Sequence, residues 1–154
     1  TRPVLLTPHP LEMARLCGTE DVASVTASRF DVGTALARES NATVLLKGVP
    51  TTISSPDGRR FVTATGNPAL ATGGSGDVLA GMAATLLAQC GDPLHAGAVA
   101  AWAHGRAADI ASARAGTSRG IPLDEIIDVV ADVAHLPWGE QPARHVYPVL
   151  GELP

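Results

Sequence analysis

The stretch Thr72-Gly73-Gly74-Ser75-Gly76-Asp77-Val78-Leu79-Ala80-Gly81 limits what this chain can become more than any other. Three glycines in four residues let the backbone take positive φ and approach a ligand closely. Leu79, Met82, Ala83, Leu86 and Leu87 then recur at helical spacing, so the turn opens directly into a helix predicted over about 75–89. The first N–H groups of a helix have no intrahelical partners and point at whatever lies in such a turn, which makes an anion site. Asp77 complicates it, because a first-turn carboxylate repels a bound phosphate unless the chemistry needs a base or a metal ligand. The plainer reading is that Asp77 complements the helix dipole, worth roughly 0.3–1 kcal/mol.

Two familiar phosphate loops can be excluded. A Walker-type loop needs Lys and then Ser or Thr after its last glycine, but Gly76 is followed by Asp77 and Val78. A dinucleotide fingerprint needs a further glycine three positions after the second, and position 79 is Leu.

The chain has 154 residues, the size of one domain with a real core. It is 45% hydrophobic but only 3% aromatic, so that core is built from Ala, Val, Leu and Ile, which suits closely packed helices on a sheet. With a net charge of −4 and 11 Lys plus Arg scattered without a basic run, neither a nucleic-acid footprint nor a membrane-surface patch is present. A small-molecule partner is expected. Cys17 and Cys90 fit no metal spacing and are too few for a disulfide scaffold, which makes a reducing cytoplasm the default. No apolar run reaches the ~18 residues of a membrane helix, and Thr1-Arg2-Pro3 does not resemble a signal peptide.

Val4-Leu5-Leu6-Thr7 reads as a buried strand, and its position almost at the first residue leads us to expect that earlier strands of a larger α/β domain are absent from this chain. A turn and short helix follow through Gly18, with Pro10 suited to the first helical position. Thr19-Glu20-Asp21 opens a helix predicted to run to about Glu39, with Val25, Val32, Ala35 and Leu36 on one face and a stop at Asn41. Thr43–Lys47 is a strand without alternation, hence buried on both faces. Strands 51–55 and 59–63 flank the turn Pro56-Asp57-Gly58 and form an antiparallel hairpin. After the helix at 75–89, a helix rich in Ala and Gly spans Leu94–Ala113. It packs closely on something, and whether that is this chain or another copy is open. A last helix near 122–135 is expected to turn Leu123, Ile126, Ile127, Val130 and Ala134 inward. Residues 1–136 read as part of one domain and 137–154 as an irregular, Pro-containing tail. The fold class is α/β, a mainly parallel sheet flanked by helices with a small antiparallel hairpin as an annex.

In such sheets ligands sit at the carboxyl ends of the strands. Three stretches fall there: His9 after strand 4–7, Lys47-Gly48 after strand 43–47, and the glycine turn. His9 is either a rigidly held ligand donor between two prolines or an ordinary turn histidine. Lys47 either reaches a phosphate as a point charge or is the solvated end of a strand. Asn67-Pro68 either orients a ligand amide or shapes the chain. If a substrate hydroxyl lies beside Asp77 and a nucleotide phosphate fills 73–76, Asp77 can accept the hydroxyl proton as the oxygen attacks phosphorus.

Leu6-Thr7-Pro8-His9-Pro10-Leu11-Glu12-Met13, Leu46-Lys47-Gly48 with Thr51, and Thr65-Gly66-Asn67-Pro68 running into the glycine turn together resemble the ADP/ATP-dependent NAD(P)H-hydrate dehydratase family of the ribokinase-like superfamily. The glycine–Asp element alone would indicate only the superfamily; the Thr-Pro-His-Pro stretch narrows it. The resemblance implies a repair lyase that phosphorylates the ring hydroxyl of hydrated NADH or NADPH with ADP in bacterial members or ATP in eukaryotic ones, with Mg2+ as companion ion, and then eliminates phosphate. It further implies that His9 and Asp77 contact the hydrated dinucleotide, with Asp77 as base. Lys47, Gly48, Val49, Pro50, Thr51 and Gly76 would contact the adenine nucleotide, and Gly73, Gly74 and Ser75 would complete the anion hole. Leu11 and Pro50 depart from the family, which places glycine at the first and a small residue at the second. Family domains are much longer than this chain, so it is expected to be an incomplete catalyst alone. The competing readings are a ribokinase-like kinase of a vitamin precursor or sugar, which gives no reason for Thr7-Pro8-His9-Pro10, and a non-catalytic nucleotide-binding module. Homo-oligomerisation is consistent with this superfamily.

Overall fold

The computed structural model describes residues 2–134. In chain order the elements are β1 (Leu5–Leu6), α1 (Pro10–Leu16), α2 (Val22–Ala27), α3 (Arg29–Ser40), β2 (Thr43–Leu46), β3 (Thr51–Ser54), β4 (Arg60–Thr63), a 3-10 turn (Pro68–Leu70), α4 (Ser75–Cys90), α5 (Pro93–Ala115) and α6 (Leu123–Ala134). The expected tail at 137–154 lies outside the described residues.

The single helix predicted from Asp21 to Glu39 is two helices. The chain breaks at Ser28 (φ −101°, ψ 21°), whose hydroxyl donates to Ser24 O at 2.8 Å. A serine that bonds back to the preceding turn competes with helical pairing. The Ser28 carbonyl then starts α3 by accepting from the amides of Asp31 and Val32. Val25, Leu36 and Ala37 are buried and Val32 half-buried, but Ala35 faces solvent. Asn41 ends α3 in the left-handed conformation (φ 51°), as its short polar side chain allows.

Four strands pair in the order β1-β2-β3-β4. β1 runs parallel to β2, with Leu5 opposite Thr43. β2 and β3 are antiparallel (Leu45 opposite Ile53), as are β3 and β4 (Ile53 opposite Phe61). The sheet is therefore mixed, and the hairpin extends it instead of standing aside as an annex. The reason is the link between β2 and β3, residues 47–50, which is far too short for the crossover that parallel neighbours require.

β2 is buried along its whole length, as its unbroken apolar run predicts. Its alternate side chains serve opposite layers. Val44 and Leu46 join Met13, Ala14, Val25, Leu36 and Ala37 under α1–α3. Leu45 joins Ile53, Leu79, Ala83, Leu94, Ala100 and Ala101 under α4 and α5. The small residues of α5 are consumed within the chain: a methyl group on Gly97 would stand 3.2 Å from Ile53 Cγ2 and 3.3 Å from Leu5 Cδ1. A third cluster joins α5 to α6 through Ala69, Ala107, Ala108, Ala111, Ile121, Ile126, Val129 and Val133. The inward face of α6 thus differs from the one expected. Ile126, Val129 and Val133 are buried, Val130 and Leu123 are half-buried, and Ile127 is 45% exposed. Adjacent apolar pairs such as Ile126-Ile127 and Val129-Val130 write two overlapping stripes on one helix, and the packing against α5 selects between them. The side chain of Ala134 lies outside the described residues.

Candidate functional site

The site assembles where β1, β2 and β4 end and α4 begins. Pro8 is buried, and its carbonyl accepts the Lys47 amide at 2.9 Å, which sets the 8–10 segment beside the end of β2. His9 then caps α1. Its Nδ1 accepts from Glu12 N at 3.1 Å while its own amide donates to Glu12 Oε2 at 2.6 Å, a reciprocal box that the His-x-x-Glu spacing carries. Because Nδ1 is an acceptor, the ring proton of neutral His9 sits on Nε2, which lies 3.4 Å from Glu12 Oε1. Glu12 also lies 3.6 Å from Lys47 Nζ through Oε2. The hydrogen bond from the His9 amide is the main reason its carboxyl lies below the usual glutamate range; burial opposes it, and the positive charge of Lys47 adds to it.

Lys47 bridges to the glycine turn. A methyl group on Gly76 would stand 3.2 Å from Lys47 Nζ, so glycine is what leaves room for the amine there. Gly74 takes φ 86° at the N-cap of α4 and gives the helix no side-chain cap. The Ser75 amide donates to Thr72 O at 3.3 Å, and those of Asp77 and Val78 donate to Gly74 O at 3.0 and 3.1 Å. Among the described residues the amides of Gly73, Gly74 and Gly76 have no hydrogen-bond partner. The Ser75 side chain is turned inward, 4% exposed, with Oγ 3.4 Å from Nε2 of the equally buried His104. Burial keeps the His104 pKa below the ordinary histidine value, so the ring is neutral near pH 7. Asp77 is exposed, and its carboxylate makes no hydrogen bond or ion pair among the described residues.

The 48–51 loop is braced from α3. Arg29 is only 6% exposed, and its Nη1 donates to Pro50 O. Gly48 (φ 141°) lies flat against the same guanidinium, where a methyl group would meet Nη1 and Nη2 at 2.7 Å. Thr51 Oγ1 donates to Gly48 O at 2.9 Å, which commits that hydroxyl to the loop itself. The Val49–Pro50 peptide is cis, Pro50 offers no N–H, and the Val49 side chain projects into solvent at 89% exposure. Of the loop's residues, Gly48 and Val49 therefore offer backbone amides to a ligand.

The structure brings His9, Glu12, Lys47 and Gly76 into one continuous line and leaves Asp77 open beside it. The sequence reading assigned no role to Glu12, Arg29 or His104, and it placed Leu123 only on the inward face of the last helix, not at the site, where its Cδ2 would meet a methyl group on Gly74 at 3.1 Å. The capping spacing could have flagged Glu12. The others act across the fold and have no local signature. Asn67 proves to shape the chain: its Oδ1 accepts from Ala69 N and Ser112 Oγ, and its Nδ2 donates to Asp109.

A family model described as NAD(P)H-hydrate dehydratase matches residues 1–131. The ADP-dependent (S)-NAD(P)H-hydrate dehydratase of Neisseria meningitidis is 46% identical over 123 residues, 80% of this chain and 41% of that protein. The ADP/ATP-dependent NAD(P)H-hydrate dehydratase of Bacillus subtilis, co-crystallised with ATP and Mg2+, superimposes with a TM-score of 0.79 at 35% identity, over 86% of this chain and 47% of that one. A ribokinase-like superfamily protein of Enterococcus faecalis superimposes with a TM-score of 0.66 at 28% identity, over 87% and 45% of the two chains. The chain spans less than half the length of the curated relatives it matches. The fold is ribokinase-like, and the match across residues 1–131, which takes in both the Thr7-Pro8-His9-Pro10 stretch and the glycine turn, shows that the chain belongs to the NAD(P)H-hydrate dehydratase family.

Proposed function

We propose that this chain supplies the nucleotide-holding and proton-accepting part of an enzyme that dehydrates hydrated NADH and NADPH with ADP as co-substrate. The observation that carries the reading is the start of α4. The amides of Gly73, Gly74 and Gly76 and the carboxylate of Asp77, none with a partner among the described residues, stand within one turn of chain, and the Lys47 amine lies beside Gly76. An anion holder with an adjoining base is what phosphoryl transfer to an alcohol demands. The substrate class is supported by family membership and by the name of the N. meningitidis relative.

In this reading Asp77 takes the proton of the nicotinamide-ring hydroxyl as its oxygen attacks the β-phosphorus of ADP, and AMP departs with the electron pair of the broken P–O bond. The ring C–O bond then breaks and phosphate leaves with that pair. A proton departs from the neighbouring ring carbon, and the double bond of NADH returns. Lys47 and the Gly73–Gly76 turn, including the backbone at Ser75, face the transferring phosphate. Gly48, Val49, Pro50 and Thr51 border the rest of the nucleotide, and His9 offers Nε2–H to the dinucleotide. Among the described residues no three His, Cys, Asp or Glu side chains converge, and Glu12 is already paired. Mg2+ accordingly fits as an ion carried on the nucleotide phosphates, its usual mode where few carboxylates are present, and would screen their charge.

The test is to incubate the full protein with hydrated NADH and ADP and to separate the products. AMP, phosphate and NADH in equal amounts are expected. A stable phosphorylated alcohol without NADH would instead assign a small-molecule kinase, and nucleotide binding without turnover a binding module.

A further inference from the structure

Residues 64–74 lead from β4 into the glycine turn, and α5 holds them at several points. Ala69 and Leu70 pack into the apolar cluster of Ala107, Ala108 and Ala111. Thr65 Oγ1 donates to Trp102 O at 3.1 Å, and the bare backbone of Gly105 admits the segment so closely that a methyl group there would stand 2.6 Å from the Thr65 carbonyl carbon. The polar attachment is Asp109. Its Oδ1 accepts from Asn67 Nδ2 at 2.9 Å and its Oδ2 from the Gly66 amide at 3.3 Å. Asn67 passes the constraint on, because its Oδ1 accepts from Ala69 N at 2.9 Å and from Ser112 Oγ at 3.1 Å and so has both lone pairs occupied. At the far end of the same segment His104, little more than one helical turn before Asp109 on α5, meets Ser75.

We propose that Asp109 is a positioning residue for the glycine turn, acting through Asn67 and the Gly66 amide to set where the free amides of Gly73, Gly74 and Gly76 stand. The role rests on the nucleotide reading above. A carboxylate is the side chain that the arrangement calls for: two acceptor oxygens face two N–H donors and no acceptor. An amide at position 109 would present an NH2 group to one of those donors. An acid at position 67 would set two carboxylates against each other. Exchanging the two groups restores every bond, because the introduced amide at 109 donates to the introduced carboxylate at 67 and still accepts the Gly66 amide.

The test is a double-mutant cycle in the full protein, with ADP binding read by titration calorimetry on folded samples and melting temperature read separately. Asp109→Asn and Asn67→Asp are each expected to weaken ADP binding about tenfold, and the double exchange to return it to within about threefold of wild type. Single variants that bind ADP as wild type while melting lower overturn the proposal, since Asp109 would then only stabilise the fold. A double variant no tighter than the singles overturns it too. Should either single variant not fold, Asn67→Ser keeps a hydroxyl for the Ala69 amide but cannot reach Asp109. It is expected to fold and to bind about tenfold more weakly, and wild-type affinity in it overturns the proposal. A wild-type protein that does not bind ADP overturns the nucleotide reading itself, and the role of Asp109 with it.

Discussion

Lys47 Nζ stands 3.2 Å from the point a methyl group on Gly76 would occupy, so an amine at the end of a sheet strand and a bare backbone at a helix start share one small space. The two residues are far apart in the chain, and the packing of Leu79 and Ala83 of α4 with Leu45 of β2 is what brings them together. The relationship separates binding from folding in a way that mutations can read.

Gly76→Ala is expected to weaken adenine-nucleotide binding at least fivefold, by displacing Lys47 and covering an amide, while the protein melts no lower than wild type. The methyl group meets only the far end of a flexible side chain, and alanine is favoured over glycine in a helix by about 0.5–1 kcal/mol. Calorimetric titration with ADP beside a thermal melt checks both halves.

Asp77→Asn should leave nucleotide affinity within about threefold of wild type and cut turnover by roughly 10²–10⁴, the range for loss of a positioned base. The side chain has no hydrogen-bond or ion-pair partner among the described residues, so any loss of stability should stay within its helix-dipole contribution of roughly 0.3–1 kcal/mol. Retained turnover would remove Asp77 from the mechanism.

Glu12 predicts a pH effect. Its folded pKa is lowered, chiefly by the His9 amide, so the stability it contributes is fully present above the unfolded glutamate value and disappears as pH falls through the lower folded one. Wild type should exceed Glu12→Gln at neutral pH by less than about 1 kcal/mol, since both partners are half exposed, and the two should converge in acid. Denaturant titrations at pH 7 and at pH 3 measure the gap.

His104 predicts a second, separate window. Burial lowers its pKa in the folded state, so the unfolded chain binds a proton first. Stability is complete above the ordinary histidine value of about 6.5 and falls as pH drops from there through the lower folded pKa. His104→Gln, which cannot take up that proton, should show a flatter decline of melting temperature between pH 7 and pH 5. Parallel slopes would mean that His104 does not titrate on unfolding.

Local pattern carried much of the fold. The unbroken Thr43–Leu46 run, the Pro56-Asp57-Gly58 turn and the spacing of Leu79, Met82, Ala83 and Leu86 led to β2, the β3–β4 hairpin and α4 because each signal lies within one element. The helix break at Ser28 was missed because the helical pattern runs on through it, and its hydroxyl bond to Ser24 O is of a kind that Thr26, Thr34 and Thr85 make inside unbroken helices. The buried face of α6 was misjudged because Ile126-Ile127 and Val129-Val130 offer two stripes of nearly equal apolar content.

What the amino-acid order determined by itself was the chemistry on offer: a glycine turn at a helix start, a carboxylate set into it, and a histidine and a lysine at neighbouring strand ends. It did so because backbone freedom, helix amides and capping boxes act over a few residues. Which of these groups meet was decided by the tertiary structure alone. Glu12 reaches Lys47, Arg29 braces Pro50, His104 backs Ser75 and Asp109 holds Asn67, and each contact joins residues whose separation along the chain is bridged only when the helices close over the sheet.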